Sequence, residues 1–411
     1  MTYAVVYTPA MCLAAAMDGR DLPICVDARM VDKSGTGITT YARGLIAAAG
    51  AVGRPFLLLR ADHEADSRSR KLLGALSGEH ALRQCDTVRE EVAGEELVGR
   101  DIFRRAHVHF TLRRRFLQLK PPRPFGIMHW TYPVPMRMAR WINIYTVHDA
   151  IPLTQPDLSP ISSRRHRAVM RQLLLHADRI VTVSQAARKD ILSSLQVEES
   201  LVVNCGQAVL GTADELKAGP PLGLEAGGYF VFCGAVEPRK NLARLIEAHA
   251  RSGVDKVLVI AGPDGWRAAE INRLIESMPS VRRSGYLERA ELLALIRHAR
   301  GLLFPSLAEG FGLPVAEAMR LGTPVLTSSS GALAEIAGDA ALLVDPTDIS
   351  AIAAGIRLLA FDDGIVADLS SRGLIRAQRF LLPSFVERLA TVYDEALAPY
   401  SQPAPTRQRV R

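Results

Sequence analysis

Short apolar runs recur along the chain, and each is followed by a polar or glycine-rich turn and then by an amphipathic stretch. A continuous apolar run between turn residues is typical of a strand buried on both faces, whereas apolar residues spaced three and four apart predict a helix. The runs interpreted as strands are 24–30, 56–60, 125–129, 142–147, 179–183, 201–204, 229–234, 256–261, 283–287, 302–305 and 325–327. Strands that alternate with helices predict an α/β fold built on parallel sheets.

Two regions depart from this alternation. Residues 61–100 are polar and charged, and their spacing is helical, so we predict helix there and no chemistry. In the basic segment that follows, we predict a strand near Val108.

The length of 411 residues exceeds one ordinary core and predicts two domains of about 200 residues each. A stretch rich in glycine and proline, residues 206–228, is interpreted as the linker. The first domain is then 1–205 and the second 229–384, and the polar, basic tail 401–411 is expected to be disordered.

Composition excludes several classes of protein. Hydrophobic residues make up 48% and charged residues 23%, as in ordinary globular proteins. The five cysteines are scattered without a C-x-x-C pair, which argues against a disulfide framework or a zinc site and favours a reducing compartment. No apolar run approaches the ~20 residues that span a bilayer. No positive charge precedes Arg20, so a signal peptide is not expected, and we predict a cytoplasmic protein.

Positive charge is concentrated in the first half of the chain. Residues 1–200 carry 28 Lys and Arg against 20 Asp and Glu, whereas residues 201–411 carry 22 against 23. Residues 102–148 contain no acid and nine basic side chains, at positions 104, 105, 113, 114, 115, 120, 123, 137 and 140. Such a segment attracts acidic lipid head groups, nucleic acid or a phosphorylated acceptor, or it is a solvated basic face.

The candidate chemistry begins in the stretch 302–348. A predicted strand leads into a small-residue turn with an acid, Glu309, and a helix begins at Leu313 and Pro314. The start of such a helix offers unpaired N–H groups to an anion. A second acid, Glu317, lies on the helix. Carboxylates beside an anion-binding helix start suit a ligand with both hydroxyls and phosphates, such as a sugar diphosphate.

This stretch, EGFGLPVAEAM followed by LGTPV, resembles the signature of retaining glycosyltransferases of the family 4 type, also called glycosyl transferases group 1. The resemblance extends over residues 24–395, and it includes E-P-R-K-N at 237–241 and His-Asp at 148–149. It implies the GT-B fold, in which two doubly wound Rossmann-like domains face each other across a cleft. It also implies that a C-terminal helix, about 385–398, packs back on the first domain.

The resemblance implies roles for four residues near the reacting centre. Arg239 and Lys240 would clamp the donor diphosphate, as a planar fork beside a point charge. Glu309 would hold sugar hydroxyls, and His148 would orient the sugar or the acceptor.

Further substrate contacts are implied in the same way. Glu317 would accept from the ribose hydroxyls, and Tyr286 and Leu287 would lie near the nucleotide base. The residues expected to approach the donor or acceptor through their backbone or loop are Gly35, Gly37, Gly310, Phe311, Gly312 and Leu313.

The implied reaction is transfer of a sugar from a nucleotide-sugar donor with retention at the anomeric carbon. Mannose from GDP-mannose is the first expectation, ahead of UDP- and dTDP-sugars, and a mannosyltransferase acting in surface polysaccharide biosynthesis is implied. The acceptor is expected to be a glycan or a lipid-diphosphate-linked saccharide, with peripheral contact to an anionic membrane through residues 102–140 and no nucleic-acid partner. No D-x-D occurs in the chain, so we expect no metal and no other cofactor, with the two cations acting in place of an ion.

Two alternatives remain open at this point. A sugar-nucleotide epimerase or a phosphorylase has the same architecture, and fold alone does not exclude either. The other alternative is a non-enzymatic protein that binds polyanions or a membrane surface through its basic first domain.

Overall fold

The computed structural model describes residues 21–31, 37–62, 78–89, 92–211 and 219–400. The predicted tail 401–411 and Gly35 lie outside the described residues. The strands are β1 (Ile24–Asp27), β2 (Phe56–Asp62), β3 (Glu79–Ala81), β4 (Arg83–Arg89), β5 (Val92–Arg100), β6 (Leu117–Lys120), β7 (Ile127–Trp130), β8 (Met136–Met138), β9 (Ile142–Thr146), β10 (Arg179–Thr182), β11 (Val202–Asn204), β12 (Tyr229–Cys233), β13 (Val257–Ala261), β14 (Val281–Gly285), β15 (Gly301–Phe304), β16 (Val325–Ser328) and β17 (Leu342–Val344). The α-helices are α1 (Gly37–Ala51), α2 (Ile102–Arg113), α3 (Ile151–Thr154), α4 (Ser163–Leu174), α5 (Gln185–Leu195), α6 (Leu242–Ser252), α7 (Ala268–Glu276), α8 (Arg289–Arg297), α9 (Leu313–Arg320), α10 (Gly331–Ala337), α11 (Ile349–Phe361), α12 (Asp363–Ala377) and α13 (Leu382–Leu397).

Two large sheets, one on each side of residues 205–228, form the framework. The first has the order β11-β10-β9-β7-β1-β2-β5-β4, and the second has the order β14-β13-β12-β15-β16-β17. All neighbouring strands in the two sheets are parallel except β4 and β5. The predicted α/β fold with parallel sheets is confirmed. A small third sheet, β3-β6-β8, extends the first domain.

The central strands explain why the apolar runs lack alternation. Every residue of β1, β9 and β12 is buried, because helices cover both faces of each sheet. One hydrophobic cluster extends from α1 in the first domain to β12 and α13, through Tyr41, Phe230 and Phe385. The two sheets therefore share part of their core.

The last helix, α13, packs against the first domain. The Phe385 ring lies edge-on to the Tyr41 ring of α1, with 6.4 Å between their centroids. Arg388 donates to the Cys205 carbonyl oxygen at 2.7 Å, and Arg54 pairs with Asp394 at 2.7 Å.

The two domains also touch at the start of α5. Ser184 caps this helix by accepting from the backbone N–H of Ala187 at 3.0 Å. Its hydroxyl donates across the cleft to the Gly310 carbonyl oxygen at 2.7 Å. Glu335 of α10 accepts from the backbone N–H groups of Gln185 and Ala186, both at 2.8 Å. A carboxylate at a helix N-terminus is stabilised by the helix dipole, so these contacts hold the cleft edges together.

Two predictions for the first domain are wrong. Residues 79–81, 83–89 and 92–100 form strands rather than helix, because β4 lies at the sheet edge, where an apolar alternation is not needed. Residues 63–77 and 90–91 of this prediction lie outside the described residues. Val108 lies in a helix, because Ile102, Ala106 and Phe110 bury one helical face between basic residues.

The acid-free segment 102–148 includes α2 and strands of two sheets. Some of its cations are paired with acids from other segments, Lys120 with Glu79 and Arg123 with Glu95. Others are exposed, at positions 104, 113, 114, 115 and 140. Within the described ranges, no helix is long and apolar enough to cross a bilayer.

A buried hydrogen-bonded chain joins α13 to the first sheet. Tyr41 hydrogen-bonds with Thr146 at 2.7 Å, and Thr146 with Nε2 of His129 at 3.0 Å. Nδ1 of His129 then meets the Tyr393 hydroxyl at 2.9 Å. All four side chains are at most 2% exposed. An unpaired polar group at this depth is costly.

We predict that Tyr393→Phe lowers the free energy of unfolding by about 1–3 kcal/mol, because it leaves Nδ1 of His129 buried without its partner. Urea unfolding at pH 7.5 measures this change. Tyr286→Phe is the matched control, since Tyr286 is 45% exposed and should change stability by less than about 0.5 kcal/mol. Equal effects of the two substitutions would contradict the importance of this contact.

We also predict acid destabilisation from His129. Burial lowers the pKa of His129 to about 3, below its value of about 6.5 in an unfolded chain. The folded state thus favours the neutral ring, and this contribution to stability is complete above pH 6.5 and declines as the pH falls. Between pH 7.5 and 5.5 the wild type should lose about 1.4 kcal/mol more than His129→Gln. Parallel stability curves for the two proteins would refute this assignment.

Candidate active site

The centre of the candidate site is Glu309, which is held by two cations. Its Oε2 accepts from Nη1 of Arg239 at 2.6 Å, and its Oε1 accepts from Nζ of Lys240 at 2.6 Å. Arg239 also pairs with Glu237 at 2.6 Å and donates to the Ala308 carbonyl oxygen at 2.8 Å. The four charged groups thus form one balanced network of two cations and two carboxylates.

Strand order explains why these residues meet. Arg239 and Lys240 lie in a 3₁₀ turn, Pro238–Lys240, after β12, and Glu309 lies in the loop after β15. These strands are parallel neighbours, so their carboxyl ends lie side by side at one edge of the sheet. Ligands of open α/β sheets bind at this edge.

The network is largely shielded from water. The side chain of Glu309 is 9% exposed, that of Lys240 10% and that of Arg239 20%. Burial alone would raise the pKa of Glu309, but Lys240 and Arg239 outweigh it and lower the pKa to about 2. Burial lowers the pKa of Lys240, against the opposing effect of Glu309. The Glu309 carboxylate is therefore charged at any physiological pH.

Helix α9 begins at the end of the loop that carries Glu309. Gly312 precedes α9 with φ of 100°, a conformation that favours glycine. A Cβ at Gly312 would lie 2.5 Å from Cδ2 of Leu333, so that side chain would have to move. Phe311 is buried against the Phe380 ring. Leu313, half-buried, then starts the helix, whose first N–H groups are oriented to bind an anion.

His148 approaches this loop from the first domain. A Cβ on Gly310 would lie 2.3 Å from the His148 carbonyl oxygen, so only glycine permits this approach. Nε2 of His148 donates to the Thr131 carbonyl oxygen at 2.9 Å, which leaves Nδ1 as the acceptor. The ring lies edge-on to Tyr41 with 4.7 Å between centroids, and burial lowers its pKa. His148 is thus a neutral, oriented imidazole whose backbone lies against Gly310, the residue after Glu309.

Glu317 lies in the same neighbourhood but makes a separate ion pair. It is 3% exposed, and Oε1 accepts from Nη1 of Arg289 at 2.6 Å. Burial raises the pKa of the Cys233 thiol. The charge of Glu317 raises it further, whereas the charges of Lys240 and Arg289 lower it. Glu317 and Lys240 therefore both lie near Cys233. The role of Glu317 towards ribose stays a prediction.

The remaining predicted contacts are placed at element ends. Tyr286 and Leu287 follow β14, at the same sheet edge as Arg239 but two strands away from β12. Gly37 is exposed at the first position of α1. The structure does not test the roles of these residues, which stay predictions.

Two charged residues of the site were missed in the sequence. Glu237 was quoted within E-P-R-K-N without a role, although it holds Arg239. Arg289 had no signal, because its pairing with Glu317 depends on the packing of α8 against α9. In the described part of the chain, no group of three or more His, Cys, Asp or Glu side chains is arranged to hold a metal.

Comparison with known proteins supports the resemblance. Residues 222–376 match the family model "Glycosyl transferases group 1". The chain is 31% identical over 263 residues to O-antigen chain mannosyltransferase B of Escherichia coli, covering 60% of this chain and 68% of that protein. It is also 31% identical over 233 residues to MMP alpha-(1->4)-mannosyltransferase of Mycolicibacterium hassiacum, covering 53% of this chain and 54% of that protein. It is 25% identical over 269 residues to WbdA, a serotype-specific mannosyltransferase of Escherichia coli. That match covers 61% of this chain but only 33% of WbdA.

Solved structures show the same architecture at low identity. Sucrose-phosphate synthase of Thermosynechococcus elongatus has a TM-score of 0.67 at 20% identity, covering 92% of this chain and 100% of that one. HepE of Anabaena, solved with UDP and glucose, has a TM-score of 0.65 at 16% identity, covering 91% of this chain and 100% of that one. The predicted GT-B fold is confirmed. The chain belongs to the family of glycosyl transferases group 1.

Proposed function

We propose that this chain is a retaining mannosyltransferase that moves mannose from GDP-mannose to a glycan or lipid-linked saccharide in surface polysaccharide biosynthesis. The observation that carries the proposal is the pairing of Glu309 with Arg239 and Lys240, in a loop whose next residue, Gly310, lies against the His148 backbone. Similar proteins of Escherichia coli and Mycolicibacterium hassiacum are named as mannosyltransferases.

The two cations act on the donor diphosphate. As the bond from the anomeric carbon to phosphate breaks, negative charge grows on the departing oxygen. Arg239, Lys240 and the N–H groups at the start of α9 are held in place before the reaction and stabilise this charge. Because the charge is larger in the transition state than in the bound donor, these contacts accelerate the transfer.

The sugar and acceptor lie on the other side of the cations. Glu309 accepts hydrogen bonds from sugar hydroxyls, and Nδ1 of His148 accepts from the sugar or the acceptor. The acceptor oxygen attacks from the face that the phosphate leaves, and its proton passes to the departing phosphate oxygen. Bond formation and cleavage on one face give retention.

The proposal requires no metal, since the cation pair supplies the positive charge that an ion would. It places the enzyme in the cytoplasm, with peripheral contact to the inner face of the membrane through residues 102–140. The exposed cations of this segment, among them Arg104 and Arg113, support that contact.

We predict that Glu309→Gln lowers kcat/KM by about 100- to 1,000-fold, because the amide keeps the volume but loses the charge that holds both cations and the sugar hydroxyls. Initial rates of mannose transfer measure the effect. Glu247→Gln is the matched control, because Glu247 pairs with Arg251 on the exposed face of α6 and should stay within about 2-fold of wild type. A Glu309→Gln enzyme as active as the control would overturn the assignment.

We predict that GDP-mannose stabilises the protein against heat more than UDP-glucose does. At ~100 times its dissociation constant a donor adds roughly 2.7 kcal/mol, which a thermal melt detects. Stabilisation by UDP-glucose alone would refute GDP-mannose as the donor.

We also predict that the product of transfer is the α-anomer, since the donor is α-linked. NMR of the product measures the anomeric configuration, and a β-linked product would refute retention.

A further inference from the structure

Two basic side chains from separate elements, Arg29 and His107, meet at the carboxyl edge of the first sheet, and Arg165 is near enough to act on His107 electrostatically. We call Arg29, His107 and Arg165 the Arg29 cluster. Arg29 follows β1, His107 lies on α2, and Arg165 lies in the first turn of α4. Nη1 of Arg29 is 3.3 Å from Nε2 of His107. Burial, and then the charges of Arg29 and Arg165, lower the pKa of His107 to about 4.

The Arg29 guanidinium is held in a fixed position. It lies 5.3 Å from the centroid of the Phe103 ring and 5.6 Å from that of the Tyr132 ring. It also donates to the Tyr132 hydroxyl. A guanidinium fixed between aromatic rings loses little entropy when it binds, and its fork matches the oxygens of a phosphate.

The cluster carries more positive than negative charge. In the part of the chain that the structure describes, no carboxylate forms an ion pair with its three members. Asp27 is the acid next to Arg29 in space, but it is completely buried, and its carboxylate accepts from the backbone N–H of Thr131 at 2.5 Å and from the Thr131 hydroxyl. Burial raises the pKa of Asp27 to about 6, so this carboxylate is costly to keep charged. Within the described residues, the polar partners of the Arg29 guanidinium are thus the Tyr132 hydroxyl and a neutral His107, and an anion would supply the opposite charge.

The cluster adjoins the candidate active site. The Thr131 carbonyl oxygen accepts the hydrogen bond from His148, and the next residue, Tyr132, contacts Arg29. The Arg239–Lys240 pair belongs to the opposite domain. An anion at the Arg29 cluster would therefore be attached to the acceptor and not to the donor diphosphate.

We infer that the Arg29 cluster binds a phosphate group of the acceptor, close to the sugar hydroxyl that is glycosylated. This inference rests on the proposed function and gives its acceptor class. It places the reaction early in glycan assembly, on a short saccharide whose reactive sugar lies near a phosphate, before steps that extend a long neutral chain. The phosphate can belong to a lipid diphosphate or to a phosphorylated sugar, since the cluster recognises the same oxygens in both.

The test compares two synthetic acceptors with the same mannose-terminated disaccharide, one linked to a short alkyl diphosphate and the other to a neutral alkyl group. Binding is measured by calorimetry with GDP present to occupy the donor site. Wild type should bind the diphosphate form at least about 10-fold more tightly, and Arg29→Gln and Arg165→Gln should each remove most of this preference. Arg171→Gln, an exposed arginine on the same helix α4, should keep it. Arg165 is also exposed, so its substitution tests the inference even if Arg29→Gln fails to fold.

Three further measurements separate the outcomes: binding of a disaccharide phosphorylated on its sugar, binding to anionic vesicles, and transfer from GDP-mannose. A disaccharide phosphorylated on its sugar and lacking the alkyl diphosphate shows which source of phosphate is preferred, and tight binding of either form supports the inference. Equal binding of charged and neutral acceptors by wild type overturns it, whether or not transfer occurs. Loss of binding to vesicles rich in phosphatidylglycerol in the Arg165 variant, with no preference between soluble acceptors, would assign the cluster to the membrane and also overturn the inference. Preference for the phosphorylated acceptors without transfer from GDP-mannose would instead refute the proposed donor alone.

Discussion

The buried carboxylate of Glu309 depends on its two cations, and the site depends on all three. A carboxylate withdrawn from water costs several kcal/mol unless partners of opposite charge and good geometry replace the water. Arg239 and Lys240 do so with one hydrogen bond to each oxygen, and Glu237 pairs with Arg239 as the second carboxylate. Removal of one member of such a buried pair typically costs about 3–5 kcal/mol. The loop after β15 is thereby fixed against the turn after β12, and the start of α9 is fixed with it.

Close contact between the two domains has the same origin. Because the loop is fixed, the Gly310 backbone can lie directly against that of His148, where no side chain would fit. The Gly310 carbonyl oxygen also accepts from Ser184 at the start of α5, which Glu335 of the second domain caps. The imidazole is in turn set by the Thr131 carbonyl, and Asp27 holds the Thr131 backbone. A continuous set of contacts thus connects the donor side of the cleft with the acceptor side.

Much of this arrangement could be predicted from sequence, for identifiable reasons. Strands buried on both faces, such as β9 and β12, appear as unbroken apolar runs, and parallel order then brings their ends together. The E-P-R-K-N and E-x7-E elements are local, so their residues could be named before their contacts were known. The pairing of Arg289 with Glu317 could not be predicted, because it joins residues from two helices whose packing no local pattern specifies. Strands β4 and β5 at one end of the first sheet were missed because β4 is an edge strand, whose polar residues need no apolar alternation.

The most direct test of the central claim is a crystal structure of the protein with GDP bound. We predict diphosphate oxygens within about 3 Å of the Arg239 guanidinium and of Lys240 Nζ, with the N–H groups at Gly312 and Leu313 directed at the same diphosphate. A diphosphate bound elsewhere, with the ion pairs of Glu309 unchanged and no contact to either cation, would contradict it.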